Sequence, residues 1–159
     1  MTTFAERQLA LLGGQDPTSV LRDTPARLKA VVDRLGAAGM RRSREAGKWS
    51  GAQVIAHLAD MEIVFGYRIR QAIAAAGHAF QLVDQDAWAT RYTNVDVEAA
   101  LEALRGLRAW NLSLLASLGP EQLERQYVHP ERGTETLGKL LRIWAGHDLN
   151  HLGQVEALL

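Results

Sequence analysis

The chain has 159 residues, 47% of them hydrophobic and 23% charged, enough for one domain over residues 1–159 with a real core and too few for two comfortable ones. Eighteen basic side chains balance eighteen acidic ones, so no global field recruits nucleic acid or an anionic membrane. The absence of cysteine removes disulfides, thiolate zinc sites and thiol nucleophiles together. Glu6 and Arg7 interrupt the N-terminal apolar stretch, which is therefore not a signal peptide. No segment approaches the roughly 20 apolar residues of a membrane span, and a cytoplasmic location is expected.

In chain order the elements read as helices, since β-branched residues are sparse and no segment alternates convincingly with period two. A short helix is predicted over residues 3–12, stopped by Gly13 and Gly14. A second is predicted to open near Thr24, with Pro25 at the first helical position where its missing N–H costs nothing, and to end at Gly36. The third has the clearest start: Ser50 and Gln53 form an S-x-x-Q capping box, and Trp49 and Val54 can staple it. It runs to about Ala76, ended by Gly77. A long connection follows, containing Trp88 and Tyr92, which is expected to pack across one end of a bundle. A fourth helix opens near Asn94 or Asp96 and stops at Gly119 and Pro120, and a last one spans about residues 136–158. The fold class is thus all-α, four principal helices plus a short N-terminal one. The long connection permits the second and third of the long helices to run parallel.

The histidines lie on the seam. Steps of three and four along the last helix give Leu137, Leu140, Trp144, His147, His151, Gln154 and Leu158, the stripe a bundle helix turns inward. The capped helix has a matching stripe of Val54, His57, Met61, Val64 and Arg68, and the fourth places Arg108 and Asn111 among leucines. Three helices therefore send polar groups to a shared interior, as a bundle does when it builds a site. Three neutral imidazoles suit a divalent ion, zinc or nickel first, with iron and manganese also accepted by imidazole. Three protein ligands leave a position open, the catalytic arrangement. His78 and His129 fall in predicted loops and read as surface residues.

Three blocks, "KWSGAQVIAHLADMEIVFGYRIR", "DAWATRY" and "GHDLNHLGQV", together resemble the DinB-like (DinB/YfiT-type) family of metal-binding four-helix bundles. The likeness covers nearly everything from Asp23 onward. It implies up-down-down-up topology, a homodimer, and a metal site of His57, His147 and His151. Family members frequently carry a histidine immediately before the last ligand, where this chain has Asn150. That position is off the seam and leaves the triad intact. Some relatives look like transferases that use low-molecular-weight thiols of the bacillithiol type.

An open metal position lowers the pKa of a bound thiol or water. Without a cysteine here, a thiol would arrive as cosubstrate, giving an S-transferase acting on a small molecule. A metal-dependent hydrolase is the alternative, with Asp60, one turn after His57, as candidate base or ligand-orienting group. A non-catalytic, stress-related metal-binding dimer is the third reading. Arg68, Trp88 and Asn111 are the candidate pocket residues: Arg68, like Arg108, for a substrate carboxylate and Trp88 as a roof. Glu62 and Asp148 tilt off the ligand faces and read as structural.

Overall fold

The computed structural model describes residues 2–159. In chain order it comprises α1 (Phe4–Leu12), α2 (Pro17–Met40), α3 (Gly51–Ala74), α4 (Gln85–Ala89), α5 (Val97–Ala116) and α6 (Pro120–Leu123). A hairpin of β1 (Gln126–His129) and β2 (Gly133–Thr136) then leads into α7 (Leu137–Glu156). No helix among the described residues is long and apolar enough to cross a membrane.

The core has two layers, and their membership fixes the helix directions. One layer joins Leu28 and Val32 of α2 to Ile55 and Leu58 of α3, Leu101 and Leu104 of α5, and Leu152 and Val155 of α7. The other joins Leu21 of α2 to Phe65 and Ile69 of α3, Leu115 of α5, and Leu140 and Trp144 of α7. The starts of α3 and α5 thus share a layer with the ends of α2 and α7. Helices α3 and α5 are parallel to each other and antiparallel to the other two, which is up-down-down-up.

This topology corrects the expectation for the long connection. It must carry the chain from the end of α3 back to the start of α5, about 30 Å for a helix of this length, so it runs along the bundle rather than across one end. It is held at several points on the way. Gly77 N–H donates to Gln126 O and Phe80 N–H to Val128 O, each at 2.9 Å, while Phe80 and Tyr92 are buried.

Two further expectations change. Helix α2 starts eight residues early, because Asp16 caps it by accepting from Ser19 N–H at 2.7 Å, with Pro17 in the first turn. Pro25 therefore sits inside the helix, and the Leu21 carbonyl loses its intrahelical donor. The break at Gly36 is real: its φ of 63° interrupts the helical path before the chain continues to Met40. The hairpin was not legible as strand because four residues per strand are too few to display a period. Its alternation buries Tyr127 and His129, so His129 is a core residue, contrary to its surface reading.

Helix α1 lies against α7 at backbone distance. A Cβ on Gly146 would stand 2.0 Å from the Gln8 carbonyl oxygen, and a backbone atom cannot swing aside. Gly146→Ala is expected to push α1 off α7 and lower the unfolding free energy by about 1–3 kcal/mol in a urea titration. Wild-type stability for this variant would contradict the close packing.

Candidate metal centre

The capping box sets the register of the first ligand. Ser50 Oγ accepts from Gln53 N–H at 3.3 Å, while Ser50 N–H donates to Gln53 Oε1 at 2.8 Å. Seven residues beyond the cap, His57 points into the bundle and is buried. His147 and His151 come from one face of α7, one turn apart, with ring centroids 4.5 Å from each other. His57 lies 5.1 Å from the first ring and 4.8 Å from the second.

One ligand nitrogen from each ring can be chosen so that all three lie within 4.8 Å of one another. His57 Nε2 and His147 Nε2 are 3.0 Å apart. Ligands 2.0–2.1 Å from a tetrahedral ion stand about 3.4 Å from each other, so small ring rotations suffice to close on one centre. His151 Nδ1 lies 3.0 Å from Gln154 Oε1, a contact that places its proton on Nδ1 and leaves Nε2 free to ligate. The residues fit a divalent ion.

Electrostatics keep the donors in the ligating form. Burial pushes the His57 imidazole down to about 3, with His151 adding to the effect. Burial, then the other two rings and Arg108, hold His147 well below its ordinary value. Burial also lowers His151, against the Gln154 hydrogen bond and Asp148. A depressed imidazole is neutral above its folded pKa, so near pH 6 a metal has few protons to displace. Three ordinary imidazoles would release about two there. Titrating the metal-free protein with zinc at pH 6 in buffers of differing ionisation enthalpy is expected to show fewer than one proton released. Release of two or more would contradict the depression.

Trp49 covers two of the three rings. Its ring stacks 6.3 Å from His151 at 18° and lies 5.0 Å from His57. Two cavities reach the triad, and Gln85 lines both. One, of about 450 Å³, is lined by His151, Gln154, Trp49, Lys48, Arg44 and Gln85. The other, of about 430 Å³, reaches His147 and is lined by apolar side chains together with Gln85, His129, Glu131, Arg68 and Arg132.

A model of the DinB superfamily matches residues 21–155. The chain belongs to that superfamily. The curated relative named "Putative metal-dependent hydrolase OB0782", from Oceanobacillus iheyensis, is 33% identical over 139 residues, 87% of this chain and 81% of the relative. "Putative metal-dependent hydrolase YfiT" of Bacillus subtilis is 26% identical over 142 residues, 87% of this chain and 80% of the relative. The solved YfiT structure, described as "a probable metal-dependent hydrolase with an unusual four-helix bundle topology", aligns with a TM-score of 0.83 at 26% identity. That alignment covers 89% of this chain and 83% of YfiT.

The other candidates of this DinB-superfamily site separate. Arg68 lines the cavity that ends at His147. Asp60 lines neither cavity and accepts from the Tyr92 hydroxyl at 2.5 Å, which ties the crossover to α3. Asn111 is buried against Gly66 and lines neither cavity, donating to the Glu62 carbonyl at 3.0 Å and accepting from Arg70 at 2.9 Å. Trp88 is 41% exposed on α4 and also lines neither cavity. The roof is Trp49, and the available signal was an aromatic immediately before the cap of a ligand-bearing helix.

Arg108 is no substrate group: it is buried between Glu62 at 2.5 Å and Asp148 at 2.8 Å. It also donates to the Leu21 carbonyl that Pro25 left without a partner. Arg132, which sequence reasoning did not single out, reaches the second cavity only because the hairpin carries it there.

Proposed function

We propose that this chain is a metal-dependent enzyme that joins a low-molecular-weight thiol to a small electrophilic substrate. The observation that carries the reading is that two cavities touch the triad, one lined by His151 and one by His147, with Gln85 common to both. A transfer between two small molecules needs two such seats, and each volume lies in the range that holds a small ligand. A purely structural ion has no need of either.

A divalent ion bound here would supply Lewis acidity, lowering the pKa of a thiol or water. His57, His147 and His151 would hold it. Gln154 fixes the His151 tautomer, and Trp49 packs over the rings of His57 and His151. In the transfer the thiol would give its proton to solvent, and the S–C bond would form as the carbon–leaving-group bond breaks, the leaving group departing with that electron pair. The chain contributes no thiol of its own.

Hydrolysis is the second reading, supported by the names of the relatives from Oceanobacillus iheyensis and Bacillus subtilis. One assay separates the two. Zinc- or nickel-loaded protein is given a haloaromatic electrophile with and without bacillithiol or cysteine, and in parallel a p-nitrophenyl ester without thiol. Transfer predicts thiol-dependent conjugation at least tenfold above a His57→Ala control. Ester cleavage that ignores added thiol, without conjugation, would establish hydrolysis instead.

A further inference from the structure

We propose that the cavity ending at His147 binds a small amphipathic anion, with its apolar body among Met61, Phe65 and Ile143 and a carboxylate or phosphate end group against Arg68 and Arg132. This names the substrate class of the proposed enzyme site and rests on that reading of the triad.

Three observations point to a missing negative charge. First, Arg68 donates to the Gln81 carbonyl at 2.9 Å and lies 5.2 Å over the Phe80 ring. Among the described residues no carboxylate comes within 4.0 Å of its guanidinium. Burial and the nearby Arg132 both work against its charge. Second, the buried carboxylate that holds Arg132 serves two cations. Glu135 pairs with Arg132 and with Lys139, each at 2.9 Å, and also accepts from the Tyr127 hydroxyl at 2.6 Å. Glu135 takes Nε and Nη2 of Arg132, so the nitrogen Arg132 leaves for a ligand is Nη1, beside His129.

Third, hydrogen-bond donors outnumber acceptors at His129. Arg132 Nη1 stands 2.8 Å from its Nε2, and Glu131 N–H stands 3.2 Å from its Nδ1. A neutral imidazole has one acceptor nitrogen, so one of these donors is left over. An oxyanion offers several lone pairs to such a group, and arginine forks match planar carboxylate or phosphate oxygens. Glu131 also lines the cavity, but its carboxylate is exposed and makes no ion pair with either arginine among the described residues. Phe4, Phe65, Leu140 and Ile143 give the wall an apolar stretch beside the polar Thr3 and Gln85, which suits an anion with a hydrocarbon body better than a bare inorganic one.

The test is calorimetric titration of the full, metal-loaded chain with hexanoate, hexyl phosphate and hexan-1-ol, with metal content measured in every sample. At least one anion is expected to bind tenfold or more tightly than the alcohol, and the better of the two identifies the end group. Arg68→Gln should weaken the anion at least tenfold and leave hexan-1-ol unchanged, whereas Arg68→Lys should stay within about threefold of wild type. His57→Ala, freed of metal, should still bind the anion, because the arginines rather than the ion hold it. Equal affinity for anions and alcohol in the wild type overturns the proposal, whatever the variants do. Anion binding that survives Arg68→Gln, or vanishes with the metal in His57→Ala, also overturns it. A wild-type chain that takes up no metal but keeps the anion preference would refute the metal reading alone.

Discussion

Replacing His147 with alanine is expected to abolish stoichiometric binding of a divalent ion, with affinity falling at least a thousandfold. The remaining imidazoles, His57 and His151, sit on different helices, and two neutral donors cannot hold an ion that three enclose. His57→Ala and His151→Ala should lose binding comparably. Gln154→Ala removes no ligand, only the partner of His151 Nδ1, and should cost about 10–100-fold in affinity. Metal content after gel filtration and competition with a chromophoric chelator provide the measurement. The four variants should remain helical by circular dichroism, since the two core layers do not depend on these rings. One equivalent of tightly held metal in His147→Ala would sink the assignment.

The second large effect concerns stability. Arg108→Met should lower the unfolding free energy at pH 7.5 by about 3–5 kcal/mol, because it strands Glu62 and Asp148 in the core. The Leu21 carbonyl loses its donor in the same change. Burial already pushes both carboxyls above their ordinary values, against the pull of Arg108. Their folded values lie above their unfolded ones, so stability falls as pH rises through that interval and is regained when they protonate. The deficit of Arg108→Met should therefore shrink between pH 7.5 and pH 5. Replacing Glu62, Arg108 and Asp148 together by apolar residues of similar size should recover most of the loss, since no buried charge then lacks a partner. Urea titrations at the two pH values test both statements. A deficit that grows on acidification would contradict the raised carboxyls.

The burial of this triplet also explains why α7 places Asp148 beside His147 with no ligand role. One residue of the pair faces the ligand rings and the other faces α2 and α5, so a single turn of α7 serves the site and the core at once. Arg108 bridges three elements, and its third partner exists because Pro25 interrupts the ladder of α2. Neither fact follows from any one helix.

Much of the centre was legible along the chain because a helix converts spacing into direction. His147 and His151 at i and i+4 share a face, and the Leu137–Leu158 stripe says which way that face looks. The capping box likewise fixed the register of His57. The start of α2 was not legible, because Pro25 invited a later one, and nothing local reveals that a proline inside a helix will find a compensating donor 83 residues away.

Local pattern therefore determined the helices, their inward faces, the three converging imidazoles and the exclusion of any cysteine chemistry. The tertiary structure alone decided which polar seam residues serve the site and which serve the core. Arg108 and Asn111 on the α5 stripe and Arg68 on the α3 stripe look alike, but only packing separates a residue locked against Gly66 or two carboxylates from one facing a cavity. It also replaced Trp88 by Trp49 as the cover and brought Arg132 to Arg68's cavity through a hairpin too short to carry a period. Periodicity specifies direction within one element, whereas a site's composition depends on which elements become neighbours.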